Sequence, residues 1–256
     1  MDCIDQLLLD RRFKLQKTQY ISERFAKSPN ITEKCFVSDH LLICHAVQDD
    51  SILPLIRESF LRAYRYVKDW FGYQRDIAFA LWMAPELIDL QYMTCLSCDE
   101  NFFCAPGSQN GIKIILFLSP LSCQKNASPN SLTATLSHEI AHHIIREISG
   151  ASNLTMKRKE SADLPMWLEE GLCQLVQGEL NPDFQKYCNE NIRRSTNWYS
   201  MEELWKDLSS CQDVGKAYLQ AYKETKSFVR ARGKTEVIQL LHSNRTHDVN
   251  WNDLPH

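Results

Sequence analysis

The stretch Ser131-Leu132-Thr133-Ala134-Thr135-Leu136-Ser137-His138-Glu139-Ile140-Ala141-His142-His143-Ile144-Ile145-Arg146-Glu147-Ile148 decides the fold. Leu132, Leu136, Ile140, Ile144 and Ile148 recur every fourth residue, with Ala134, Ala141 and Ile145 beside them. An apolar stripe at that period predicts a buried amphipathic helix. Ser128 or Asn130 supplies a side-chain oxygen to cap its start, and Gly150 can end it in a left-handed conformation. A helix this apolar must pack on another element, and a sheet is the expected partner.

His138 and His142 lie beside the stripe, four residues apart, and so project from one side of the helix. Their imidazole nitrogens can both reach a single zinc ion. Glu139 sits beside the first of them, within reach of a water molecule held by such an ion. This is the H-E-x-x-H pattern of zinc-dependent peptidases. A catalytic zinc takes three protein ligands and keeps one position open. The candidate third ligand is Glu170, in Trp167-Leu168-Glu169-Glu170-Gly171. Glu169 is the rival; the two point about 100° apart on a helix, so both cannot ligate through one geometry. His143 points about 100° away from His142 and reads as a surface group or one bonded to a ligand.

From Leu164 the chain reads Leu-Pro-Met-Trp-Leu-Glu-Glu-Gly-Leu-Cys. This resembles the P-x-W-L-x-E-G-L-A segment of the peptidase MA-like family, metallopeptidases of gluzincin type. The resemblance implies that the Glu before the Gly, Glu170, is the third zinc ligand. Cys173 stands where the family has Ala, and reads as a packing residue. Ala217-Tyr218-Leu219-Gln220, followed by Phe228-Val229 and Gly233, resembles the family's last block. It implies that a tyrosine there donates to the developing oxyanion: Tyr218, with Tyr222 as the fallback. The alternative for both tyrosines is simple ring packing. The similarity covers roughly residues 36 to 245, but its specific motifs occupy only about 25 residues.

The resemblance implies an α+β, zincin-like fold. An N-terminal twisted mixed sheet carries the active-site helix, a helical lobe follows, and zinc lies in the cleft between them. The expected division is an N-terminal helical extension over 1–34, a sheet-plus-helix lobe over 35–150, a helical lobe over 151–243 and a tail over 244–256. The extension is also a candidate for occluding the cleft. Cys35 to Val47 contains a strand candidate, Leu41-Leu42-Ile43-Cys44. A helix follows from Asp50 to near Gly72, then a strand over Ile77–Met83, a short helix from Ala84, a cysteine-rich loop over 94–110 and a strand over Gly111–Leu118. That last strand is the candidate edge beside the cleft, where extended substrate would pair, with a central position as the alternative. Ser149 to Asp163, with its basic run Lys157-Arg158-Lys159, reads as a solvated loop. Pro165 to Gln177 reads as a helix ended by Gly178. Ser200-Met201-Glu202-Glu203 reads as a capping box opening a helix through Leu208. Two more helices, Val214–Arg232 and Lys234–His242, are divided by Gly233.

Composition bounds the rest. The chain has 256 residues, 44% hydrophobic and 24% charged, with a net charge of −3. The mean hydropathy of −0.37 agrees with a globular enzyme, and the net charge with the pI of about 6.2 argues against nucleic-acid partners. The first ten residues lack the basic start and apolar run of a secretory signal, and no stretch has the length of a membrane span. The expectation is a cytoplasmic protein whose ten cysteines are mostly reduced thiols. Cys95, Cys98 and Cys104 invite a second, structural zinc, though no second C-x-x-C follows. The expected partner is a peptide or protein substrate. The alternatives are a regulatory protease dedicated to one protein partner, and an idle zincin-like scaffold that binds one.

Overall fold

A computed structural model describes residues 34–38, 40–94, 102–109, 112–123, 128–150, 164–206 and 208–242. Expectations for the N-terminal extension, Cys95, Cys98, the insert over 151–163 and the tail fall outside these residues. The chain is α+β. It forms two compact units, one comprising residues up to 62 together with 74–133, the other residues 63–73 together with 134 onward.

The first unit is built on a mixed sheet. Its strands are β1 (Lys34–Ser38), β2 (Leu41–His45), β3 (Ala78–Ala84), β4 (Phe103–Gln109) and β5 (Ile112–Leu118), in the order β1-β2-β3-β5-β4. β2, β3 and β5 run parallel, while β1 and β4 pair antiparallel at the two margins. Parallel neighbours need long crossovers. Helix α1 (Leu53–Phe71) begins in the first crossover, and α2 (Leu87–Thr94) lies in the second. All residues of β2 and β5 are buried, as strands covered on both faces must be. Leu42, Ala80, Trp82, Ile114 and Leu116 share one apolar cluster with Leu90 and Met93 of α2. Phe79 meets the Phe60 ring of α1 edge-on at 5.3 Å.

The expected strand over Leu41–Cys44 is β2, and the residues before it add β1, which forms a hairpin with it where His40 adopts φ 58°. Two other sequence expectations change. The cysteine-rich segment contributes a strand, β4, which covers the outer side of β5. β5 is therefore interior and β4 is the margin, so the central alternative holds. Pro106 has no N–H to donate, and it falls where the β4–β5 register slips between Cys104 and Gly107. Proline of this kind belongs on sheet margins. Helix α2 starts at Leu87 rather than Ala84, because Ala84 still pairs with Leu118 in the sheet.

The second unit is helical. Helix α3 (Pro129–Ile148) begins in the first unit and continues through the second. α4 (Met166–Leu180), α5 (Pro182–Arg194), α6 (Glu203–Lys206), α7 (Val214–Arg232) and α8 (Lys234–His242) follow. Ser128 is the cap of α3, its Oγ accepting from Ser131 N at 3.1 Å. Gly150 and Gly233 adopt φ 63° and 86°, ending α3 and α7 as their positions predict. The capping box forms: Glu203 Oε2 accepts from Ser200 N at 2.7 Å, and Ser200 Oγ accepts from Glu203 N at 3.3 Å. The helix it opens lasts only four residues. α5 has no counterpart in the sequence reading. It starts on the Asn181 side chain, which accepts from Phe184 N at 3.1 Å, with Pro182 at its first turn. Among the described residues, no helix is long and apolar enough to cross a membrane.

α4 runs past Gly178 to Leu180, so this glycine is not a terminator. Gly171 and Gly178 instead lie on the side of α4 that packs against α7. A methyl group on Gly171 would fall 2.0 Å from Thr225 Oγ1 and 2.4 Å from the Ala221 carbonyl oxygen. On Gly178 it would meet nothing closer than 3.6 Å. Two opposite outcomes follow for the same substitution. Gly171→Ala is expected to lower stability by about 1–3 kcal/mol through overpacking. Gly178→Ala is expected to raise it by about 0.5–1 kcal/mol, the ordinary helix-propensity gain. Urea midpoints of the two variants against the parent check both signs.

Candidate metal centre

The sequence-selected His138, Glu139, His142 and Glu170 lie within the second unit, together with Arg146 of α3 and Glu169, Cys173 and Gln177 of α4. His138, His142 and Arg146 repeat every four residues, as do Glu169, Cys173 and Gln177, so each of these sets lies on one side of its helix.

His138 Nε2 and His142 Nε2 stand 3.2 Å apart. Glu170 Oε2 lies 3.4 Å from each of them. Nitrogen and oxygen ligands sit about 2.0–2.2 Å from a tetrahedral zinc, which puts the ligands about 3.3 Å from one another. The three atoms thus have the spacing of one face of a zinc tetrahedron, with a fourth corner left over.

The outer nitrogens of both rings are held. His138 Nδ1 faces Gln177 Oε1 at 3.1 Å. His142 Nδ1 faces Glu169 Oε1 at 2.8 Å. Both partners are acceptors, which sets the ring proton on Nδ1 of a neutral imidazole and leaves Nε2 facing inward. Glu169 is held in turn by Arg146, whose Nε donates to the same Oε1 at 2.8 Å. Glu170, not Glu169, faces both Nε2 atoms, which separates the rivals that spacing left open.

Glu139, Glu169, Glu170 and His142 are all buried. Buried charge must be paired or bound to metal, and Arg146 pairs with Glu169. Burial pushes the Glu139 carboxyl up, and the nearby His138 and His142 only partly oppose this. Burial also works to raise Glu170, but His142 and His138 outweigh it and hold the carboxyl well below the usual range. Glu169 is held at about 2 against its burial by Arg146 and then His142. Burial works to lower His142, but Cys173, Glu170 and Glu169 together lift it well above its ordinary value.

Cys173 is fully buried, as the packing reading expects. It is also closer to the histidines than that reading implies: one donor atom from each of His138, His142 and Cys173 lies within 4.8 Å of the others. Burial pushes its thiol up to about 12. Glu170 stands 3.4 Å from both inner nitrogens and is held in its charged form, so it and Cys173 are both candidates for the third donor. His143 is fully buried and is not a surface group. It follows Leu136 by seven residues and Ile140 by three, so it shares the apolar side of α3, a position that helical spacing could have marked as buried.

Tyr222 is fully buried, and its ring lies against the position of Gly178, which matches the ring-packing reading. Tyr218 lies one turn earlier on the same side of α7 and is half-buried. Among the described residues, Cys104 and Cys123 belong to no group with metal-ligand spacing. Sequence reasoning missed Gln177 and Arg146. Gln177 follows Glu170 by two helical turns and Arg146 follows His142 by one, so helical spacing alone could have nominated both. No protein-family model matches this chain, and no curated protein sequence matches it.

The purified chain is expected to bind about one zinc ion, lost in His142→Ala and Glu170→Ala. Gln177→Leu is expected to keep the ion but weaken its binding about 10-fold, by freeing the His138 ring. Elemental analysis and competition with a chromophoric chelator measure these. Full zinc content in Glu170→Ala would exclude Glu170 as a ligand.

Proposed function

We propose that this chain is a zinc-dependent metallopeptidase of gluzincin type, the activity that its likeness to the peptidase MA-like family implies. One observation carries the reading: the 3.2 and 3.4 Å triangle of His138, His142 and Glu170, with Glu139 buried beside it. The sheet-plus-helix first unit and the helical second unit are compatible with a zincin-like fold.

His138, His142 and Glu170 hold the zinc ion in this scheme. When bound, zinc supplies Lewis acidity that polarises a water molecule and the carbonyl oxygen of a peptide bond. Gln177 and Glu169 keep the imidazoles turned toward it. Glu139 sits about 60° around the helix from His142, close enough to serve as the base. Its carboxylate takes a proton from the attacking water as the new C–O bond forms. It then gives that proton to the amide nitrogen as the C–N bond breaks. Burial raises the proton affinity of Glu139, which favours the first transfer. Tyr218 is the candidate donor to the carbonyl oxygen as negative charge develops there. The substrate class is a peptide or protein, and a single dedicated protein target is one form of it. The proposed compartment is the cytoplasm.

Glu139→Gln keeps the shape of the side chain and removes the base. Cleavage of a peptide library, read by mass spectrometry, is expected to fall by about 10²–10⁴-fold while zinc content stays unchanged. Cleavage at the parent rate in this variant would rule the mechanism out.

A second reading has its own support. The proximity of Cys173 to both histidines offers a fourth donor, and a zinc ion held by four protein ligands is structural. The chain would then be a non-catalytic scaffold that binds a partner. A cobalt-loaded protein with a sulfur-to-metal charge-transfer band, absent in Cys173→Ala, would favour this reading over the peptidase.

A further inference from the structure

We infer that Arg146 is a positioning residue for the metal ligand His142, acting through Glu169. This rests on the metal-site reading above and goes beyond it, because Arg146 touches neither the proposed ion nor a proposed ligand. Glu169 Oε1 is a shared acceptor. It takes the Nδ1 proton of His142 at 2.8 Å and the Nε proton of Arg146 at 2.8 Å. The Glu169 side chain is 3% exposed, so water does little to hold its carboxylate in place. The Arg146 side chain is 27% exposed, so its guanidinium keeps part of its hydration while anchoring that buried oxygen.

The geometry gives Arg146 two effects. It fixes the position of Oε1, and so the rotation of the His142 ring and the direction of its Nε2 lone pair. It also brings a positive charge to Glu169, which stands one residue from Glu170. His142 and Arg146 are four residues apart on α3, so one turn of helix presents the ligand and its anchor together to α4. His138 is held differently, by the neutral Gln177 amide at 3.1 Å. The two rings therefore differ in how firmly they are held, and a charged anchor is the firmer of the two.

The test uses the full chain and zinc affinity from chelator competition, with circular dichroism and apo-protein thermal midpoints on every variant. Arg146→Gln and Glu169→Gln are each expected to weaken zinc binding about 10–100-fold. The double variant is expected to be no weaker than the poorer single one, because both act through one oxygen. Arg146→Lys keeps a donor and is expected to recover part of the loss. The visible bands of the cobalt-loaded protein are expected to shift in Arg146→Gln, which a role in stability alone would not cause. Arg232→Gln, which breaks an exposed pair with Glu236, controls for loss of charge and is expected to bind as the parent does. Unchanged affinity and cobalt spectrum in Arg146→Gln, with the parent binding zinc, overturns this inference alone. Additive losses in the double variant overturn it too. A parent that binds no zinc overturns the metal-site reading and this inference with it. Should Arg146→Gln fail to fold, Arg146→Lys and Glu169→Gln carry the same comparison.

Discussion

Two imidazole nitrogens and a carboxylate oxygen lie within 3.4 Å of one another in a buried part of the helical unit, and this constraint governs the arrangement around them. Lone pairs so close and so poorly solvated repel unless a positive charge lies among them. Glu170 and Glu169 bring negative charge beside the two rings, and together with Cys173 they lift His142 well above its ordinary value. The neighbouring groups complete the arrangement. Gln177 and Glu169 accept the outer ring protons, and Arg146 offsets the charge that Glu169 brings.

The packing of α4 shows how the helix serves two roles. One side carries Glu169, Glu170, Cys173 and Gln177 toward α3. Another side carries Trp167, Gly171 and Gly178 toward α7, where Thr225 Oγ1 donates to the Trp167 carbonyl at 3.2 Å. The absent side chain at Gly171 lets the two helix backbones approach closely. The same helix thus meets α7 through a glycine on one side and presents its carboxylates to α3 on the other.

Much of this was legible in the chain. The periods of α3, α7 and α8 are strong, and their glycine stops sit where a left-handed residue is needed. His138, Glu139 and His142 are adjacent in sequence and share one helix, so local spacing sufficed to group them. Less was legible where partners are distant. β4 carries a proline and pairs through an irregular register, so it read as a loop. α5 is mostly polar, so it was passed over although Phe184, Tyr187, Cys188 and Ile192 recur at helical spacing. Gly178 read as a stop because a glycine at a helix end and a glycine in a helix–helix contact look alike in one dimension.

Sequence by itself determined the inventory: two histidines on one turn with a carboxylate between them, and two further carboxylates side by side downstream. It could not choose between Glu169 and Glu170, because adjacent helix positions differ only in direction and direction has meaning only against a neighbour. Tertiary structure made that choice by setting α4 against α3, so that Glu170 meets the inner nitrogens and Glu169 the outer one. It also recruited Arg146 and Gln177, since hydrogen bonds between helices depend on distances in space that sequence order does not encode.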